Sequence, residues 1–428
     1  MIRSLPILSF LLVAISCGRE PAPGEQGWPD QPPCGAPELA PTTATKLPPV
    51  HTLNLTASIT VVQDSLDGLE TDVAVGLAGD GTVHAAYWRC SWHCPNCSVL
   101  ESPDLPCPGL HAARRVSGKI QHELVDEESG RGVSLLVGKQ SLEGIAAASA
   151  PHPGAISVHR PAGKGTIWVS DQVGSPTFPL GPTWSSVTGG AHRVAWTDSM
   201  LIPTLEVARR NGSTWAHEST LTLPEKAVTH TACFDVGGKL HAAWTEGEPP
   251  TLSSPAAAAE VRYRAPGVKT VPVPLTDDPG ALPRATVDQL VIDAAGRPHL
   301  LVSLYDDASQ SAAPRLFHVV NPGGGWISTE LTKLLPYPVL LDDAALAVDG
   351  AGAAYAALSV QLSPNMKGEV TEHALLVGTN AHGSWLIHEL GDRDVTGAVD
   401  LAAAGGGTFH LGYFGAHTFK IAEVAIYR

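Results

Sequence analysis

Short apolar runs separated by glycine-rich turns recur along most of the chain. Six segments align: GDGTVHAAYW from Gly79, GGAHRVAWTD from Gly189, GGKLHAAWTEG from Gly237, DAAGRPHLLVSLYDD from Asp293, AGAAYAALSV from Ala351 and GGGTFHLGYF from Gly405. Each contains a tight turn followed by an apolar strand, most of which open on His or Tyr, and a further apolar strand precedes the turn. That is the pattern of a β-hairpin. The turn glycines Gly81, Gly189, Gly238, Gly296, Gly352 and Gly407 follow one another at about 55 residues, after a first gap of about twice that length. A degenerate copy is expected in that gap. GVSLLVGKQSLEGIAAASA from Gly132 has the right place and apolar content but lacks the His.

Each unit also carries a second hairpin. EVARRNGSTWAHESTL from Glu206, RLFHVVNPGGGWISTEL from Arg315 and HALLVGTNAHGSWLIHEL from His373 place Trp215, Trp326 and Trp385 in one phase, and weaker copies begin at His111, Ala155 and Glu260. Units of four antiparallel strands repeated in this way predict an all-β, seven-bladed β-propeller, with six or eight blades as alternative counts. The last unit, from Gly397, has room for three strands only. HTLNLTASITVV from His51 has no other assignment and is expected to supply the fourth strand, closing the last blade. No part of the body shows sustained helical periodicity.

The chain before His51 is different in kind. Arg3 precedes an apolar run from Leu5 to Ile15 that is too short to span a bilayer permanently. Ala14-Ile15-Ser16-Cys17 resembles the lipobox of bacterial lipoproteins. The resemblance implies that residues 1–17 are a signal peptide with its lipobox and that the Cys17 sulfur is lipidated. With Gly18 next, it also implies an envelope protein anchored at the outer membrane. Plain secretion is the alternative. Residues 18–50 hold nine prolines without apolar periodicity, which predicts a semi-rigid tether carrying a propeller over 51–428.

Composition narrows the partners. The chain has 428 residues, 42 acidic and 27 basic side chains and a formal charge of −15, with 43 glycines and 36 prolines. Charged residues make up 16%, against about 25% in an average chain, which excludes a coiled coil. The acidic balance disfavours nucleic acid and anionic membrane faces, so membrane contact is expected through the lipid alone and the propeller is expected to be a monomer. Hairpins of the form D-x-x-G-x-x-H with G-x-W turns resemble the bacterial BNR or sialidase-like β-propellers. The resemblance implies the fold more than an activity. The Asp-box of that family is echoed only by Asn211-Gly212-Ser213-Thr214-Trp215, without its Asp.

Several residue sets are candidates for chemistry. His84, His192, His241, His299 and His410 recur once per unit. They are expected to bond nearby backbone groups, because zinc needs several nitrogens at about 2.0–2.1 Å from one point. Trp88, Trp196, Trp244, Tyr305 and Tyr413, with the tryptophans of the G-x-W turns, are expected to pack between blades. Cys90, Cys94, Cys97 and Cys107 are spaced for two disulfides in an oxidising compartment, with four-thiolate zinc as the alternative. Cys233 reads as a buried free thiol, and Cys34 has no assigned partner. Glu246, Asp306, Asp307, Asp342 and Asp343 are expected to ring the channel mouth on the long-loop face, suited to Ca²⁺ or a hydroxylated ligand; no other cofactor is implied. No G-x-S-x-G, H-E-x-x-H or phosphate-loop motif is present, and no residue is singled out as catalytic. The expected function is non-catalytic, surface-anchored binding of a protein or glycan ligand. A sialidase-like glycoside hydrolase or lyase is the alternative. Cys17→Ala is expected to move the protein from the membrane to the soluble fraction, and unchanged fractionation would remove the lipobox reading.

Overall fold

A computed structural model describes residues 45–46, 50–52, 54–63, 72–89, 109–116, 119–126, 132–138, 141–148, 155–162, 167–174, 182–188, 191–198, 203–247, 260–275, 284–305, 314–335, 339–362, 372–393, 395–415 and 418–428. The described residues form seven antiparallel sheets. Blade one is built from Val73–Leu77, Val83–Arg89, Gly109–Val116 and Lys119–Asp126. Blade two spans 134–174, blade three 182–222, blade four 227–272, blade five 284–330 and blade six 339–389. Blade seven joins Val395–Gly405, Thr408–Gly415 and Thr418–Ile426 to Leu55–Gln63. The first strand of each blade touches the first strand of the next, and that of blade seven touches that of blade one, so the chain is a closed seven-bladed β-propeller. Helix among the described residues is confined to a single turn at Thr332–Leu334. No helix there is long and apolar enough to cross a membrane.

The near-continuous apolar runs follow from this geometry. Both faces of a blade are covered by neighbours, so alternate side chains pack in opposite directions and neither set can be polar throughout. In blade one Ala85 and Tyr87 pack back on Phe414 and Phe419 of blade seven. Ala86, Leu110 and Ala112 pack forward on Leu142, Ile145 and Ala147 of blade two. Of the aromatic residues expected between blades, Trp196, Trp244, Tyr413 and the tryptophans of the outer turns are found there. Trp244 is buried against Leu205 of blade three and Leu223 just after it, and Trp196 against Ala146 and Ile156 of blade two. Trp168, Trp215, Trp326 and Trp385 pack on the blade before their own.

The inner turns show why D-x-x-G-x-x-H recurs. Asp293 Oδ1 accepts the Ala295 and Arg297 N–H groups at 2.9 and 2.8 Å, and Asp349 Oδ1 accepts those of Ala351 and Ala353 at 2.9 Å. Gly296 and Gly352 complete these turns at φ values of +80° and +85°, a region costly for residues with a Cβ.

The ring is closed by the N-terminal strand as expected. Leu55–Gln63 pairs antiparallel with Thr418–Ile426, from Leu55 opposite Ile426 to Val61 opposite Lys420. Thr45–Lys46 and Val50–Thr52 pair in turn on its other edge, so the end of the proline-rich stretch is drawn into the sheet. Leu55, Ala57, Ile59, Val61 and Val62 are all buried there. Deleting residues 1–44 should leave the melting temperature of the propeller unchanged. Deleting through Gln63 should lower it sharply, since each large buried aliphatic is worth about 1.5–3 kcal/mol. Equal melting temperatures for the two truncations would contradict closure by this strand.

Candidate functional site

The first strands of successive blades are joined by side chains that accept a backbone N–H from the next blade. Asp400 Oδ2 accepts Val75 N–H at 2.7 Å, Asp72 Oδ2 accepts Gly132 N–H at 2.6 Å, and Asp343 Oδ2 accepts Val399 N–H at 2.8 Å. Thr229 Oγ1 accepts Val287 N–H at 3.2 Å and Gln289 Oε1 accepts Leu346 N–H at 2.5 Å. Burial pushes the carboxyls of Asp343 and Asp400 up to about 6 and 7, and the Asp343 charge adds to the push on Asp400. Asp288, which accepts the Ser303 and Thr286 hydroxyls, is pushed up to about 6. Protein surrounds its carboxyl without sealing it from solvent.

The expected acidic rim is only partly described. Asp306 and Asp307 lie outside the described residues. Asp342 and Asp343 do not sit in a loop between blades: they fall within the first strand of blade six, where a bulge after Leu341 offsets the register. Asp342 bonds Gln361 and His373, whereas Asp343 serves the seam to blade seven. Glu246 ends the second strand of blade four and is held by Trp244 Nε1 at 3.0 Å and Arg262 at 3.2 Å. Among the described residues no group of three or more His, Cys, Asp or Glu is placed to hold a metal ion.

The recurrent histidines do not gather, and side chains hold those that have partners. His241 Nδ1 lies 2.6 Å from the Tyr263 hydroxyl and its Nε2 3.3 Å from Asp235, while His299 Nδ1 lies 3.1 Å from His318. Cys233 is a free thiol, pushed up to about 12 by burial. Cys17, Cys34, Cys90, Cys94, Cys97 and Cys107 lie outside the described residues.

A cavity of about 590 Å³ opens at the opposite end of the strands from the expected rim. In blade two, the degenerate copy, it is lined by Ser141, Leu142 and Glu143 where the second strand begins. That blade's first strand, Ser134–Val137, is the shortest of the seven blades' first strands. Blade one contributes His84, Arg114 and Glu123, with His84 directly opposite Arg114 across the strands. Blade two contributes Glu143, Arg160 and Trp168, and blade three His192 and Arg210.

Sequence alignment put His192 in phase with His84, but it faces the other way. Five residues separate the paired strand ends in blades one, four, five and six, as in Leu77 opposite Val83, whereas Thr188 pairs with Ala191 across two. An odd change in that count turns a side chain to the other face of its sheet. His192 therefore points back to blade two, where its Nε2 lies 3.2 Å from Glu143.

The electrostatics of this cavity are mixed. Burial lowers His84 to about 4, helped by the Arg114 charge, and it lowers His192, helped by Arg210 and Arg160. Both rings are neutral at pH 7. Burial raises the Glu123 carboxyl, opposed by Arg114 and by the nearby Trp168 indole N–H, which does not complete a hydrogen bond. Arg160 bonds Asp171 at 2.7 and 2.8 Å, and Arg114 Nε donates to Gln121. Both ring nitrogens of His84 and the Nε of Arg210 are buried with no hydrogen-bond partner. Arg114, Arg160 and Arg210 carried a signal that single-motif reading passed over: each lies shortly before the outer turn of its unit, in HAARRVSG, SVHRPAG and VARRNG.

No protein-family model matches the chain, and no curated protein matches it. Among solved structures it is similar to an ulvan-degrading polysaccharide lyase bound to a glucuronate–sulfated rhamnose unit (9% identity, 87% of this chain and 90% of that one, TM-score 0.47). It is also similar to a fucose-binding lectin of Aleuria aurantia (12% identity, 74% and 94%, TM-score 0.39). A third similarity is to the β-propeller domain of the trilobed protease of Pyrococcus furiosus (8% identity, 89% and 93%, TM-score 0.41). These are distant likenesses of shape, and no activity is carried over from them.

Asp400 gives a pH test of the seams. Its folded pKa lies above that of an unfolded aspartate, so its contribution is fully present in acid and is lost as pH rises toward 7. Asp400→Asn keeps an acceptor for Val75 N–H without the charge. Its stability relative to wild type should rise by about 1–3 kcal/mol between pH 5 and pH 8 in denaturant titrations. The buried histidines titrate alike in both proteins and cancel in the comparison. A difference independent of pH would show that Asp400 is not held protonated by the fold.

Proposed function

We propose that this propeller is a non-catalytic binding module that takes a saccharide in the cavity shared by blades one, two and three. One observation carries the reading. Donors and acceptors share the cavity wall, the guanidiniums of Arg114, Arg160 and Arg210 beside the carboxyls of Glu123 and Glu143 and the rings of His84 and His192. The nitrogens of His84, the Trp168 indole N–H and the Nε of Arg210 are left without a partner. A hydroxyl both donates and accepts, so a polyhydroxylated ligand satisfies such a wall where an apolar one cannot. Trp168 supplies a flat amphipathic face of the kind that packs against the C–H side of a sugar ring. The volume suits a small-molecule site.

A hydrolase or lyase is the second reading. It is favoured by Glu123, raised by burial, beside the neutral His84, an acid and a base on one wall. A glycan array with a turnover assay on each hit separates the two. Binding without products, weakened about tenfold by Trp168→Ala, is the expected result. Released products would favour the second reading. Full affinity in the variant would place the site elsewhere.

A further inference from the structure

The cavity has two unlike halves. Its first half lies on the seam between blades one and two, where His84, Arg114 and Glu123 face Trp168. Charge is balanced there, since Arg114 acts on the Glu123 carboxyl and His84 is neutral. The second half lies on the seam between blades two and three, where Arg160 and Arg210 act on His192 against the Glu143 carboxylate 3.2 Å from its Nε2. The two arginines differ. Arg160 is engaged by Asp171 and keeps spare N–H donors, while Arg210 forms no ion pair among the described residues and its Nε is buried without a partner. A buried guanidinium N–H without an acceptor is costly and is resolved by an oxygen brought from outside. Neighbouring sheets pack about 10 Å apart, so the halves are spaced farther than one sugar ring reaches.

Resting on the saccharide reading above, we propose that the ligand is an acidic oligosaccharide. One hydroxyl-rich residue sits against Trp168, Glu123 and His84. A carboxylate or sulfate on a neighbouring residue sits between Arg210 and Arg160. An acidic peptide supplies the anion but not the hydroxyl-rich ring that Trp168 and the neutral His84 of the first half require.

The test uses the full chain and an array of uronate-bearing and sulfated saccharides, from monosaccharides to octasaccharides. Each is paired with its carboxyl-reduced or desulfated form, and poly-glutamate is the peptide control. The best acidic oligosaccharide should bind about tenfold or more tighter than its neutralised partner and than the corresponding monosaccharide. The carboxyl-reduced and desulfated arms show which anion is read. Arg210→Gln should abolish the preference while leaving the neutralised partner within about twofold, Arg210→Lys should restore part of it, and Trp168→Ala should weaken both forms. Melting temperatures equal to wild type show that the variants fold. Equal affinity for acidic and neutralised forms would overturn the acid subsite and leave the saccharide reading standing. Tight binding of monosaccharides would overturn the two-part arrangement, and poly-glutamate binding as tightly as the best saccharide would overturn the ligand class. Binding of no saccharide at all would remove both readings.

Discussion

The pairing of Leu55–Gln63 with Thr418–Ile426 is the contact on which the ring depends. An open arc of blades would expose one face of its first blade, one face of its last and an unpaired strand edge, all apolar. Laying the N-terminal strand on the C-terminal blade ties the two ends of the propeller together by a backbone ladder. The blades between them are then each covered on both sides. Leu55, Ile59 and Val61 are buried as deeply as residues of the inner strands because they belong to that shared blade.

Covering both faces of every sheet creates a second constraint. Strands crowded about the axis must satisfy backbone groups where bulges interrupt the ladder, as at Asp288 and before Asp343. Acceptors on the inner strands answer this by taking an N–H from the next blade, at Asp400, Asp72, Asp343, Thr229 and Gln289. Where the acceptor is a carboxylate with little water around it, its pKa climbs, and the seams acquire a dependence on pH that neutral Thr229 and Gln289 do not share. Acidic residues that resemble a ligand rim in sequence are, in the case of Asp343, part of this inter-blade fastening.

The cavity is a consequence of imperfect repetition. The inner hairpin of blade two has a four-residue first strand and lacks the recurrent histidine. Arginines and histidines of blades one and three line the recess on either side. A binding site arising where one repeat departs from the others places varied side chains on a scaffold held rigid by the rest.

The sequence alone determined the architecture. Alternation, turn glycines and the repeat distance are local properties, and only one closed arrangement buries seven such two-faced sheets, so blade number, strand order and the closing strand were legible from His51 to Arg428. The tryptophans between blades were legible for the same reason. The facing of individual side chains was decided by tertiary structure. His192 looked equivalent to His84, but the pairing of Thr188 with Ala191 reversed its face, and Glu143 came to meet it from the neighbouring blade. Arg114, Arg160 and Arg210 lie 46 and 50 residues apart in sequence and share a cavity only because consecutive blades are stacked side by side. Fold follows from periodicity, which each segment carries by itself. A site between blades follows from register, and register is fixed only when the sheets pack against each other.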